Sequence, residues 1–283
     1  VASHRGPSVG VVGSCNVDLV VRSANLPRPG ETIMAGDVQR LPGGKGGNQA
    51  AAAARLGARV SLMTSLGEDE AGDWMCRVLA GYEVGLDQVQ RSTRPTGTAF
   101  ITVDDVGENE IVVSPGANRD LDAGKLNLDT FDVVLAQMEV AQDVIDDVAR
   151  RARRFLLNVA PAAPVDPDTL GRCAVVIANE LEAELFDAGG IDHCVLTLGG
   201  RGAVHLQRGR EIARSAAPHL EVVDTVGAGD VFCAAYAIRF AEGASAQDAL
   251  DFAVTAGSLA TLAVGAQGAL PTREEVEQWL QRG

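Results

Sequence analysis

Short apolar runs alternate with helical segments along most of this chain, and no other feature restricts its fold as much. Residues 9–12 form an apolar run closed by Gly13, consistent with a buried strand. Residues 47–56 are alanine-rich and stop at Gly57, as a helix with a glycine terminus does. Residues 60–65 read as a strand and 71–80 as a helix. Further strands are expected at 132–136, 155–159, 174–178 and 194–198, and helices at 141–153, 180–186, 228–241, 246–262 and 273–281. Parallel neighbours need crossover connections, so this rhythm predicts an α/β fold: a mainly parallel sheet with helices on both faces.

Two stretches break the rhythm. Residues 18–36 carry Pro27, Pro29 and Gly30 with no helical period, and 98–114 read as a hairpin turning at 104–108. Both suit a small β-lid beside a ligand cleft, where a reaction must exclude water. With no repeat, low-complexity tract or Pro/Ser-rich linker, the expectation is one domain over 1–283, with its lid from about 18–36 and 98–114.

A net charge of −14 removes nucleic acid from the possible partners, because phosphate backbones need a basic face. Nucleotides stay possible wherever N–H groups and a metal offset the global field. Hydrophobic residues at 46% and charged ones at 22% describe a globular chain. The five cysteines (Cys15, Cys76, Cys173, Cys194 and Cys233) and four histidines lack disulfide-framework or zinc spacing. Residues 1–8 hold no apolar run, so no signal peptide is expected there. The most apolar stretch, 252–266, is short for a bilayer and reads as a buried helix. A soluble, cytoplasmic protein with no membrane partner is the expectation.

The strongest chemical signal is Asp224-Thr225-Val226-Gly227-Ala228-Gly229-Asp230, followed by the apolar run 231–238. Glycines flanking a single alanine allow a turn whose N–H groups converge at a helix start. That makes an anion site, suited to charge on a transferred phosphoryl group. Asp230 in the first turn can take a proton from a hydroxyl, or simply cap the helix. The second signal is Pro42-Gly43-Gly44-Lys45-Gly46-Gly47-Asn48-Gln49, a ligand loop or a turn with Asn48 as N-cap. It is no Walker A loop, since Gly46 follows Lys45 where Ser or Thr is required. Asn16 and Asp18 follow the first strand at the end where α/β sheets bind ligands, although an Asx turn fits equally. Thr197-Leu198-Gly199-Gly200-Arg201-Gly202 closes another strand with glycines. Asn179 and Glu182 fit a hydrated Mg²⁺ or a capping pair. Glu139 is a carboxylate at an apolar strand end.

In order and spacing, these segments resemble the phosphofructokinase B (ribokinase-like) family of carbohydrate and nucleoside kinases. The resemblance runs from Val9 to about Trp279 and is most specific at 42–50 and 224–230; residues 27–32 are most similar to the ribokinase branch. It implies a kinase moving the γ-phosphoryl group of ATP to a sugar hydroxymethyl group, with ribose the leading substrate. It further implies Asp230 as base and Gly227, Ala228 and Gly229 as anion hole. Asn16, Asp18, Gly44, Lys45, Gly46, Gly47, Asn48 and Glu139 would line the sugar pocket. Asn179, Gly229 and Thr197, Leu198, Gly199, Gly200, Arg201 and Gly202 would contact ATP, and Glu182 would place Mg²⁺ through water. Asp224, Val226, Ala260, Ala263 and Gly265 would hold K⁺, and the lid would form a homodimer contact.

The chain departs from that pattern in three places: Ala269 stands where the last cation ligand is commonly Ser, Val254 where His or Asn often lies near adenine, and Val231 replaces a frequent Thr. Fructose, 2-keto-3-deoxygluconate and adenosine are the alternative substrates within the family. An aromatic content of 4%, with none in the sugar motifs, favours a bare sugar over a nucleoside. A non-catalytic sugar sensor would have no use for Asp230, and a nicotinamide dehydrogenase would want G-x-G-x-x-G after the first strand.

Overall fold

The computed structural model describes residues 6–282, so the expectation for the first residues falls partly outside it, as does His4. Strand β1 (Ser8–Val12) leads into β2 (Asn16–Arg22) and β3 (Gln39–Gly43). Helix α1 (Lys45–Arg55), β4 (Arg59–Met63), β5 (Ser65–Gly67), α2 (Glu70–Gly81) and β6 (Gln90–Ser92) follow. The hairpin of β7 (Gly97–Val103) and β8 (Asn109–Ser114) precedes β9 (Val133–Gln137) and α3 (Gln142–Arg151). Then come β10 (Phe155–Asn158), α4 (Pro167–Arg172), β11 (Val175–Asn179), β12 (His193–Thr197), β13 (Ala203–Gln207) and β14 (Arg210–Ser215). Last are α5 (Ala228–Ala241), α6 (Ala246–Leu259) and α7 (Arg273–Leu280).

The main sheet has the order β14-β13-β12-β11-β10-β9-β1-β4. From β4 to β12 every pairing is parallel; β13 and β14 turn antiparallel at one edge. Alternate residues of the buried strands feed two cores. Val133 and Leu135 pack with α1, α5 and α6, while Val134 and Ala136 face α3 and α4. Helix α5 is buried on nearly every side from Asp230 to Ile238, which is why its sequence is apolar all round. The order reverses direction between β1 and β9, and the loops beyond their carboxyl ends carry Ser14 and Glu139.

A second sheet, β3-β2-β7-β8, stands beside the first. Its boundaries differ from the expected ones: β2 starts at Asn16, 23–38 form no strand, and Gln39–Gly43 is a strand, not part of a loop. Pairing with β2 supplies what the local sequence of β3, with its proline and glycine, lacks. The helix expected at 180–186 is a single 3₁₀ turn, Glu182–Leu185. Leu181 is 72% exposed, so the segment has too little apolar face to propagate a helix. The helix expected to run to 262 ends at Leu259 and tightens into a 3₁₀ turn over Ala260–Leu262. Strands β13 and β14 and helix α4 were not expected from the sequence.

Candidate active site

The glycine run at the start of α1 is required by close approach. Gly44 is the N-cap, with φ at 81°, and a Cβ there would lie 2.7 Å from the Asn16 nitrogen and 2.9 Å from Cys15 Cα. On Gly46 it would meet the Ser14 carbonyl oxygen at 2.6 Å, and the Gly47 N–H donates to that oxygen at 2.9 Å. The first turn of α1 is therefore pressed onto the loop after β1. Asn48 lies inside the helix and is not its N-cap. Glu139 Oε2 accepts from the Lys45 N–H at 3.0 Å and from the Ser14 hydroxyl, placing a carboxylate at the positive end of the helix.

Asp230, in the first turn of α5, is 7% exposed. Its Oδ2 accepts from Asn48 Nδ2 at 3.0 Å and its Oδ1 from Gln49 Nε2 at 3.1 Å. Burial raises its pKa, Lys45 and the two amides pull it down, and Glu139 adds to the rise. Burial works against the Lys45 ammonium, but the charges of Asp230 and Glu139 prevail and hold its pKa above the ordinary value. Asp18 is pushed up to about 7 by burial and by the charges of Glu139 and Asp230. Five residues from four separate segments, Asp18, Lys45, Asn48, Glu139 and Asp230, thus share one electrostatic environment.

Two cavities meet beside Asp230, at the neighbouring Gly229. One, of about 240 Å³, is lined by Lys45, Asn179, Glu182, Thr197, Gly227, Gly229 and Asp230, among others. The other, of about 450 Å³ and more apolar, is lined by Gly199, Gly200, Gly202, Ala228 and Val254, among others. Thr197, Thr225 and Gly229 belong to both. The nucleotide residues implied by resemblance divide between them, with two corrections. Leu198 lines neither, and Arg201 turns outward to pair with the exposed Glu180 at 2.6 Å. Lys45 faces the smaller cavity instead of a purely sugar-lined one. Glu139 lines a separate hollow beside Val113 and Arg119.

The turn before α5 is tied to the segment after α6. Asp224 Oδ1 accepts from the Val226 N–H at 3.0 Å and Oδ2 from the Gly265 N–H at 2.8 Å. The Thr261 carbonyl, next to Ala260, accepts from the N–H groups of Val223 and Asp224. Gly227 has φ at 81°, and a Cβ there would lie 2.6 Å from Ala266 Cα. Within the turn, the Ala228 N–H donates to the Thr225 carbonyl at 3.2 Å, so of the three anion-hole candidates it is already engaged. Ala269 lines an outer groove with Arg55, Leu262 and Trp279.

The sequence reading missed several residues here. Asn118, 1% exposed in the turn after β8, accepts from the Cys15 N–H at 2.9 Å and donates to Asn16 Oδ1 at 2.7 Å. Gln49, Gln137 and Asn158 lie buried behind Asp230. Scattered amides in apolar settings were their only signal, since their partners lie 88 to 181 residues away in the chain.

The pfkB family carbohydrate kinase model matches residues 7–273. The chain belongs to that family. A ribokinase from Bacillus subtilis (strain 168) is 39% identical over 95% of this chain and 98% of its own. Among solved structures, Arabidopsis thaliana ribokinase complexed with ribose and ATP superposes with a TM-score of 0.87 and 31% identity, over 98% of this chain and 99% of its own. A Thermotoga maritima ribokinase gives a TM-score of 0.89 at 29% identity, over 97% and 99%.

A pfkB kinase acts on a nucleotide carrying a divalent cation, and the donors here suit one held mainly through water. Asn179 and Glu182 bond reciprocally, each N–H to the other's side-chain oxygen at 2.8 Å, as in a capping pair. Glu182 is buried and lines the smaller cavity; burial raises its pKa against the pull of the Asn179 N–H and Lys45. Among the described residues, no three His, Cys, Asp or Glu side chains converge to hold a metal directly. This pfkB chain also has no helix, among the described residues, long and apolar enough to cross a membrane.

Proposed function

We propose that this chain is an ATP-dependent sugar kinase that converts D-ribose to D-ribose 5-phosphate. One observation carries the reading: a buried carboxylate, Asp230, lies beside the N–H-rich turn where the two cavities meet. Phosphoryl transfer asks a protein mainly for alignment and charge stabilisation. Asp230 takes the proton as the sugar oxygen attacks the γ-phosphorus of ATP and the bond to the bridging oxygen breaks to release ADP, with Asn48 and Gln49 steadying the two carboxylate oxygens. Gly227 and Gly229 at the positive end of α5, with the Lys45 ammonium, face the transferring oxygens. Asn16, Asp18 and Gly44 hold the sugar, and Thr197, Gly199, Gly200 and Gly202 hold the nucleotide. A hydrated Mg²⁺ near Asn179 and Glu182 would neutralise phosphate charge.

Asp224 and the carbonyls of Val226, Ala260, Ala263 and Gly265 would hold K⁺, since their backbone oxygens suit a weakly hydrated cation. The β2-β3-β7-β8 sheet would act as lid and homodimer contact. Phe100 and its cross-strand neighbour Val112 share one face of it and are both more than half exposed, an apolar patch that a second copy would cover, while Ile111 and Val113 are exposed on the opposite face. The whole chain then forms one kinase domain, working in the cytoplasm where ATP is.

The test is an ADP-release assay with ribose, 2-deoxyribose, fructose and adenosine, repeated with Asp230→Asn. Ribose should give the highest kcat/KM, and the variant should lose ~10²–10⁴ in kcat while still binding sugar by calorimetry. Preference for adenosine or fructose would overturn the substrate; near-normal turnover in the variant would overturn the base.

A further inference from the structure

Behind Asp230, away from the turn of α5, three buried amides form a chain with one sense of direction. Gln49 and Gln137 are 0% exposed and Asn158 is 7% exposed. A carboxylate can only accept, so Gln49 must offer its NH₂ to Asp230 Oδ1, at 3.1 Å. The same NH₂ reaches Asn158 Oδ1 at 3.2 Å, and Asn158 Nδ2 donates onward to the Ile177 carbonyl at 3.3 Å. Gln49 Oε1 is thereby turned to Gln137, whose Nε2 donates to it at 2.5 Å. Gln137 Oε1 is left buried without a partner, against Gly13, where a Cβ would collide with it. One ionised group therefore sets the orientation of every amide behind it. Rotating any one of them would bring two acceptors together.

We propose that Gln49 and Gln137 are positioning residues for phosphoryl transfer: a neutral amide relay that fixes the Asp230 carboxylate in one rotamer and favours its ionised form. Neutral donors suit this task. An arginine in the place of Gln49 would neutralise the base and weaken it as a proton acceptor, whereas an apolar residue would leave one oxygen buried and bare. Gln137 acts one step back, since it bonds only Gln49 and keeps that amide from rotating. The orphaned Gln137 oxygen follows from this arrangement, because the relay must end in an acceptor.

The inference rests on Asp230 being the base, so its test includes a readout that needs no turnover. The carboxyl ¹³C resonance of Asp230, assigned by its absence in Asp230→Asn, is titrated in wild type, Gln49→Met and Gln137→Met. Methionine keeps the volume and removes the donor, and circular dichroism checks that each variant is folded. The Asp230 pKa should rise by about one pH unit in Gln49→Met and by less in Gln137→Met. The acidic limb of the kcat profile should move with it, with sugar KM within about twofold. A merely structural role would lower melting temperature without moving either limb. An unshifted Asp230 resonance in both folded variants would overturn the relay. A shifted resonance with an unmoved kcat limb would keep the relay and overturn Asp230 as the base. If Gln49→Met fails to fold, Gln137→Met decides alone, because it leaves Gln49 in place.

Discussion

Asn48 Nδ2 donates to Asp230 Oδ2 at 3.0 Å, while Asn48 Oδ1 accepts from Gln267 Nε2 at 3.1 Å. The residue implied as a sugar contact is thus also a direct partner of Asp230, the proposed base. Both of its polar atoms are committed within the protein, and its orientation is set from α5 on one side and from the segment after α6 on the other.

Asn48→Ala should therefore differ from Asp18→Ala. Removing Asn48 leaves a carboxylate oxygen of Asp230 short of a donor, so kcat should fall along with a rise in sugar KM. Asp18→Ala should raise sugar KM alone, by the ~1–3 kcal/mol of an unpaired polar contact, with ATP KM within about twofold. Two-substrate steady-state kinetics separate the cases. Equal changes in both KM values for Asp18→Ala would move it out of the sugar site.

The raised pKa of Asp18 gives stability a defined slope. Its folded value of about 7 lies above the ordinary 3.8, so between these pH values the folded chain keeps a proton that the unfolded chain has lost. This contribution is greatest below the ordinary value, falls as pH rises through the window, and is flat above it. Asp18→Asn removes the slope. Urea midpoints should favour the variant increasingly from about pH 5 to pH 7, and a constant difference would mean that the group titrates normally.

Gly227 and Gly229 should respond differently to alanine. Gly227→Ala forces a left-handed backbone on a residue with a Cβ, costing ~1–2 kcal/mol, and drives that Cβ into Ala266. Both the urea midpoint and kcat should drop. A Cβ on Gly229 meets nothing within 4 Å, so its stability should hold. Because Gly229 lines both cavities, its added methyl should instead lower kcat. Normal kcat in a stable Gly229→Ala would remove that glycine from the phosphoryl path.

Potassium should raise kcat over sodium at fixed ionic strength by ordering the Asp224–Gly227 turn without touching substrate. Ala269→Ser, supplying the hydroxyl that the family resemblance implies at this position, should strengthen that dependence. Asp224 already bonds the N–H groups of Val226 and Gly265, so Asp224→Ala should lower kcat in every salt. Equal wild-type and Ala269→Ser rates in potassium, sodium and a bulky organic cation would show that these hydrogen bonds suffice.

How much was legible beforehand followed the range of the interactions. The hairpin at 98–114 and the extent of α5 could be read locally, since turn residues and apolar runs act within a few positions. The 42–50 loop looked like a flexible turn or a ligand loop. Its glycines in fact let α1 close onto Gly13–Cys15, a steric demand set by a segment thirty residues earlier. Strand β3 was hidden for the same reason, its partner being β2 and not its own sequence.

By itself, then, the order of apolar runs and glycine turns determined the α/β class, and the Asp224–Asp230 segment singled out Asp230 as a base or a helix cap, with phosphoryl transfer implied by the family resemblance. Those properties depend on hydrophobic period and on residue type. Tertiary structure alone decided that Asp18, Lys45, Glu139 and Asp230 share one field, that Arg201 turns outward, and that Gln49 and Gln137 stand behind Asp230. Electrostatic coupling and buried hydrogen bonds act across a few ångströms of space. The chain distances between these groups, 182 residues from Asn48 to Asp230, leave no trace of that proximity in local sequence.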